Sequence, residues 1–287
     1  MNKLIFSSWA AVAFFAAASS ATAADMVVKA PIAPPFSWTG WYLGGNIGGG
    51  WASDPATLSD TTSSTSIISH DADAPVPTFF PGPSTGPTTA SGGGSINPSG
   101  VIGGLQTGYN WQSGWLVSGL EADIQGSSQR GSATICDTAG CPAGSGVANV
   151  SQRLPWFSTF RGRVGFTPAD RWLVYATGGL AVGETDQTLS GGPVGGPAGF
   201  IASNTTTRAG FAVGGGVETY IFDHWSIKVE YLFLGFGNVG FSGTGVPVVT
   251  AVFTNPRIET ITTTTTTSSL SSRIGDNIVR VGVNYHF

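Results

Sequence analysis

Charge is scarce in this chain: Asp, Glu, Lys and Arg make up 10% of its 287 residues, against roughly 25% in soluble domains. Histidine and cysteine are scarcer still, with three and two copies. His70, His224 and His286 stand far apart in the sequence, and they do not assemble the nucleophile, base and orienting group that hydrolytic catalysis needs. No catalytic residue and no enzyme activity is expected. Cys136 and Cys141 sit in a Gly/Ala/Ser-rich stretch with only Asp137 beside them as a further ligand. Zinc wants four ligands, so a metal site is not expected; a small disulfide loop in an oxidising compartment is. The net charge of −4 gives no basic footprint for nucleic acid. Gly48–Gly50 and Gly214–Gly216 resemble phosphate loops only superficially, because no helix follows either; no cofactor is expected.

Long apolar runs are missing beyond the N-terminus, which excludes a membrane helix. The one run present, Leu4–Ala18, follows Lys3 and precedes the small-residue pattern Ala21-Thr22-Ala23. It is shorter than the ~20 apolar residues that span a bilayer, and it reads as a secretory signal cleaved after Ala23 or Ala24. The expected organisation is a signal peptide over 1–23, a Pro-rich periplasmic segment over 24–37 with Pro31, Pro34 and Pro35, and one β domain over 38–287.

What the chain does have is glycine, 43 residues, and aromatics, including nine Trp. Its last nine residues, Val279–Phe287, alternate without a break. Val279, Val281, Val283, Tyr285 and Phe287 share one face of a strand, and Arg280, Gly282, Asn284 and His286 the other. Seven further segments have this character: 38–51, 100–112, 115–125, 156–167, 172–183, 207–222 and 225–236. Each is long enough for the roughly 9–11 residues of a tilted membrane strand. In hydrocarbon only helices and closed barrels satisfy every backbone group. The expected fold is therefore all-β: an eight-stranded, antiparallel, up-and-down transmembrane β-barrel.

The connections alternate in length. Gln112–Gly114, Pro168–Arg171 and Asp223–His224 are tight, whereas Ala52–Ser99, Gly126–Pro155, Glu184–Thr206 and Gly237–Asp276 are long. In an up-and-down barrel every second connection lies at the same end, so short periplasmic turns face long extracellular loops, as in the bacterial outer membrane. Aromatics mark the periplasmic end of each strand: Trp38 and Trp41, Tyr109 and Trp111, Trp115, Phe166, Trp172, Tyr220 and Phe222, Trp225, Tyr285 and Phe287. The long loops are poor in charge, and the threonine run 262–267 has no evident means of building a core; they read as mobile surface, or as a contact site for a host or phage ligand.

Side-chain parity sorts the charges. Apolar residues of the opposite parity face lipid, which leaves Glu121, Asp123, Arg161, Arg163, Glu218, Lys228, Glu230 and Arg280 facing the lumen, four acids against four bases. Lys or Arg at the lipid midplane costs ~2–4 kcal/mol, so the sorting is not accidental. A lumen of eight strands is just wide enough for side chains to fill. The network is expected to act as a structural plug, the competing reading being a narrow path for ions or small solutes along the same groups.

The segments PPFSWTGWYLGGNIGGGW (Pro34–Trp51), GLQTGYNWQSGWLVSGLEADIQ (Gly104–Gln125), FRGRVGF (Phe160–Phe166), DRWLVYATGGLAVG (Asp170–Gly183), GGGVETYIFDHWSIKVEYLFLGFG (Gly214–Gly237) and VRVGVNYHF (Val279–Phe287) resemble the outer-membrane immunogenic protein family, a porin-like group of small OmpA-type barrels of Gram-negative bacteria. The resemblance implies an outer-membrane surface antigen contributing to envelope integrity. Its partners would be outer-membrane lipid and lipopolysaccharide, periplasmic chaperones and the barrel-assembly machinery, which reads a terminal aromatic signal that Tyr285 and Phe287 would supply here.

Overall fold

The computed structural model of the chain describes residues 37–70, 78–136, 146–193, 199–255 and 258–287. The expected signal peptide and all but the last residue of the Pro-rich segment lie outside them. Among the described residues there are twelve strands: β1 (Gly40–Trp51), β2 (Asp54–His70), β3 (Thr78–Pro81), β4 (Thr85–Ile96), β5 (Ser99–Ser113), β6 (Leu116–Cys136), β7 (Gly146–Ala169), β8 (Trp172–Pro193), β9 (Phe200–Phe222), β10 (Trp225–Thr244), β11 (Val248–Asn255) and β12 (Ile258–His286).

Antiparallel pairing runs from β1 through β5, β6, β7, β8, β9 and β10 to β12, and β12 also pairs with β1. The register places Tyr42 between Gly108 of β5 and His286 of β12. The last residue joins this ladder, with Phe287 N–H donating to Trp41 C=O at 3.0 Å. Each of the expected segments falls on a strand of this path, save for Trp38, Thr39, Trp115 and Phe287 at their ends. The tight connections at 114–115, 170–171 and 223–224 separate consecutive strands at one end, and Gly114 takes a positive φ of 59° that favours glycine.

Among the described residues twelve strands appear where eight are expected, because much of each long connection is strand. β6, β7, β8, β9, β10 and β12 continue well past the expected segments, and β2, β3, β4 and β11 arise wholly within the long connections. The threonine run illustrates the cause. Thr262–Thr267 lies on β12, paired residue for residue with Thr61–Ser66 of β2. Ser66 and Thr262 hydroxyls lie 2.9 Å apart, and those of Thr62 and Thr266 3.2 Å apart. β-branched threonine suits a pleated surface, and cross-strand hydroxyl pairs replace the contacts that an apolar strand would make. The ladders shift register at the edge of the expected segments, at Gly126/Gln129, Arg153/Trp156 and Gly235/Gly237. Gly237 has φ 77°, as a bulge requires.

The outward faces carry an apolar belt. Leu43, Ile47, Val101, Leu105, Ile124, Phe160, Val164, Leu180, Phe211 and Val229 are all exposed, Leu180 to 65%. Burial on this scale is forgone only where the solvent is itself apolar. The inward faces form a stack that β7 displays in order: Arg163 and Arg161, then Phe157 and Leu154, then Gln152, then Val150 and Ala148. Below the charges lie Trp38, Val117, Leu173, Tyr175 and Tyr220. Above them are a cluster around Phe157, Leu232, Phe236 and Ile278, and beyond it a second apolar core holding Leu58, Ile96, Ile135, Val150, Leu189 and Leu270. The second core lies wholly in the extensions, so the first long connection is anchored rather than free.

Two members of the expected periplasmic girdle are not in it. Trp38 is fully buried, donates Nε1–H to Asp170 C=O at 3.2 Å, and packs edge-on against Tyr220 at 4.6 Å. Tyr220 shares the inward parity of Glu218 and is buried with it. Both close the lower end from inside, whereas Trp41, Trp111, Trp115, Phe166, Trp172, Phe222, Trp225 and Phe287 remain on the outer face.

Deleting Thr65–Ser84 removes β3 and the outer part of β2 but spares Ala56, Leu58 and Ile96, and loop closure depends only weakly on length. The deletion is expected to retain the heat-modifiable folded band on a gel. Leu58→Asp is expected to keep that band too, while exposing the extensions of β2 and β4 to protease; unchanged cleavage would show that the second core does not hold them.

Candidate functional site: the charged lumen

The eight charged residues that parity turns inward are all buried, each no more than 4% exposed. β6 supplies Glu121 and Asp123, β7 Arg161 and Arg163, β9 Glu218, β10 Lys228 and Glu230, and β12 Arg280, each at a position where strand alternation turns its side chain inward. Formal charges cancel, four against four.

Arg161 sits at the centre. Its Nη2 reaches Glu121 and, at 2.8 Å, Asp123; its Nη1 reaches Glu230 at 3.2 Å; and its Nε donates to Thr159 Oγ1 at 2.8 Å. Arg280 shares all three carboxylates, with Nε donating to Glu230 at 2.7 Å and Nη2 to Asp123 at 2.9 Å and to Glu121 at 3.4 Å. Lys228 Nζ donates to both oxygens of Glu121, at 2.9 and 2.8 Å. Arg163 pairs with Glu218 at 3.1 Å, donates Nε to Asn110 at 2.7 Å, and lies over the rings of Tyr42 at 4.6 Å and Tyr175 at 5.3 Å. These are charge-assisted bonds, and the guanidinium forks supply the planar geometry that lysine lacks.

Several members carry no charge, so charge sorting alone does not reveal them. Tyr42 donates its hydroxyl to Glu121 at 2.7 Å, Tyr175 to Glu230 at 2.9 Å, and Asn284 its amide to Glu218 at 2.7 Å. Asn46 donates to Gln106, which donates to Asn284 at 2.6 Å. Their inward parity is the signal that finds them: Tyr42 alternates with the lipid-facing Leu43, and Asn284 with Val283. Lumenal glycines make room for the larger rings; a Cβ on Gly216 would come within 2.8 Å of the Tyr175 hydroxyl.

One grouping looks superficially catalytic. Ser226 Oγ lies 3.0 Å from His286 Nε2, and Glu218 Oε1 lies 3.4 Å from the same nitrogen. Serine and carboxylate thus face one ring nitrogen, whereas a relay needs them on opposite nitrogens. His224 is a backbone neighbour, its C=O accepting from His286 N–H at 2.8 Å, but its exposed ring stacks on Tyr285 at 5.6 Å, on the outer face. Cys136 is disulfide-bonded; Cys141 lies outside the described residues.

An antiparallel β-structure with an apolar exterior, an aromatic girdle at the end of the tight turns and a charge-lined interior defines an outer-membrane β-barrel. A family model of the outer membrane protein beta-barrel domain matches residues 9–287, and the chain belongs to that family. It is 32% identical over its full length, and over the relative's full length, to a 31 kDa outer-membrane immunogenic protein of Brucella melitensis. It is 27% identical to a 22 kDa outer membrane protein of Rhizobium leguminosarum bv. viciae, over 71% of this chain and 66% of the relative. Among solved structures it is similar to Ail of Yersinia pestis, at 10% identity and a TM-score of 0.25 over 76% of this chain and 99% of that one. It is also similar to the Escherichia coli outer membrane protease OmpT, at 10% identity and a TM-score of 0.35 over 86% and 97%.

Removing the Arg161 guanidinium leaves Glu121, Asp123 and Glu230 short of a shared partner in a buried site. Arg161→Ala is expected to destabilise the folded barrel by about 3–5 kcal/mol, read as a lowered urea midpoint in lipid vesicles. Arg161→Lys should recover only part of the loss, since one ammonium cannot reproduce the fork.

Proposed function

We propose that the ring of β1, β5, β6, β7, β8, β9, β10 and β12 is an eight-stranded transmembrane barrel, and that its charged layer is a plug rather than a conduction path. The protein then acts as a structural and surface-display element of the outer membrane, not as an enzyme. The observation that carries this reading is the stack within the lumen: a neutral, mutually bonded charge layer with apolar layers directly below and above it. An ion would have to break charge-assisted bonds in the middle layer and shed water at both apolar ones. Display falls to the extensions of β2 to β4 and of β10 to β12, which a rigid barrel holds clear of the membrane.

The outer belt and girdle suit lipid, with lipopolysaccharide at the level of the extensions. Contact with a host or phage ligand through the extensions, and delivery by periplasmic chaperones to the barrel-assembly machinery, belong to the same reading.

Single-channel recording of the purified protein in planar bilayers is expected to show no steady conductance, and a persistent nanosiemens step would overturn the plug. Tyr285 and Phe287 pack edge-on at 5.2 Å on the outer face of the final strand, where a docking factor can reach them. Phe287→Ala is expected to lower the amount of barrel in the outer membrane of cells while leaving refolding of the purified chain in detergent unaffected. Equal cellular levels would remove the assembly-signal role.

A further inference from the structure

Above the charge plug, on the extracellular side of Trp51, the lumen contains two carboxyl groups with no cation among their partners. Asp54 opens β2, and Asp276 lies on β12 one residue above Asn277, the register partner of Trp51. Both are almost fully buried. Asp54 accepts from Gln152 Nε2 at 2.7 Å and from the Gly275 N–H at 2.9 Å. Asp276 accepts from Gln129 Nε2, which reaches both of its oxygens, at 3.1 and 2.9 Å. Gln187 extends the chain by donating to Gln152 at 3.2 Å. The two carboxyls line one cavity of about 10 Å³, with Gln129, Gln152, Thr185 and Ile274 around it. Five strands, β2, β6, β7, β8 and β12, thus meet in one polar layer sandwiched between apolar clusters.

Apart from the two carboxyls themselves, the groups that line this cavity are uncharged. The charged residues of the same strands near this level, Arg130, Arg153, Glu184, Asp186 and Arg273, alternate to the outer face, and Asp60 of β2 lies inward but higher. The layer therefore differs from the plug below it, where each carboxylate has a cation.

We propose that this carboxyl layer is a proton-dependent clamp that fastens the root of the first extracellular connection to the barrel, closed when Asp54 and Asp276 are neutral and loosened when they ionise. A protonated carboxyl still has lone pairs for the glutamine and backbone donors that hold it. An ionised pair keeps those bonds but places two like charges together in a buried site, and opening the layer to water relieves them. Burial pushes Asp54 up to about 6, against the opposing bonds from Gly275 and Gln152. Burial pushes Asp276 up to about 7; the Gln129 bond opposes this and the Asp54 charge adds to it. Both groups bind protons more tightly in the closed layer, so their contribution is present at low pH and is lost as pH rises through about 6 and then about 7.

Hydrogen exchange on the full-length protein in lipid vesicles tests this, with rates corrected for the pH dependence of exchange chemistry. Protection of β2 around Thr57–Asp60 is expected to fall on the order of a hundredfold from pH 5 to pH 8, while the barrel wall at Leu43–Ile47 does not change. Asp54→Asn and Asp276→Asn should each flatten the slope, and the double variant should abolish it. Equal slopes in β2 and the wall, or a slope that survives the double variant, would overturn the clamp, as would protection restored by calcium chloride and removed by a chelator. If the variants do not fold, difference infrared titration of the unaltered protein decides: protonated carboxyl bands must disappear between pH 5 and pH 8, and their absence at pH 5 overturns the proposal.

Discussion

A backbone placed in hydrocarbon has no water to bond, and the first strand of this chain satisfies that constraint through two neighbours far away in sequence. β1 pairs with β5 along one edge and with β12 along the other, so each register position from Tyr42 to Trp51 has a partner on both sides. Were the β1–β12 ladder missing, both strands would present open edges to lipid, each unpaired group costing several kcal/mol. The other features follow from that closure. Once the strands return on themselves, alternate side chains have only two destinations, and the chain must put into the enclosed one whatever lipid will not accept.

The enclosed side chains then constrain one another. Four carboxylates and four cations in a narrow space are tolerable only because nearly every one has several partners, and Arg161 alone joins β7 to both β6 and β10. Such a network links strands across the interior that do not pair at the wall. It also restricts what may stand between the charges: Gly216 leaves the space that Tyr175 fills, and Tyr175 donates its hydroxyl to Glu230. The tyrosines and amides around the ions serve the remaining lone pairs, a condition for charge burial to be tolerated at all.

Much of this was legible in the sequence because a membrane strand leaves no freedom in where a charge can go. Parity alone placed Glu121, Asp123, Arg161, Arg163, Glu218, Lys228, Glu230 and Arg280, and all are buried. The same rule, applied to uncharged residues, would have placed Tyr42 and Asn284 inside and moved Tyr220 out of the girdle. Trp38 was harder, since it precedes the first strand and alternation does not apply to it. Which cation meets which acid was not legible, because that depends on stagger between strands remote in sequence, such as β6 against β12.

The extensions escape the sequence pattern for a different physical reason. Outside the membrane a strand no longer needs an apolar face, so serine, threonine and glycine can continue a ladder that the barrel has already nucleated. Composition then reads as loop what pairing makes into strand: β12 continues through its threonines because β2 is already aligned against it at Ala56–Leu58. The stability of these extensions is borrowed from two places, the apolar core around Leu58, Ile96 and Leu270 and the polar layer at Asp54 and Asp276 beneath it. The core is indifferent to pH, whereas the layer has no cation to hold its carboxyls ionised. A surface built on such a foundation can respond to its surroundings without any change in the barrel that supports it, because the charge layer below is neutral through its own ion pairs, and none of the hydrogen bonds described for Asp54 and Asp276 reaches it.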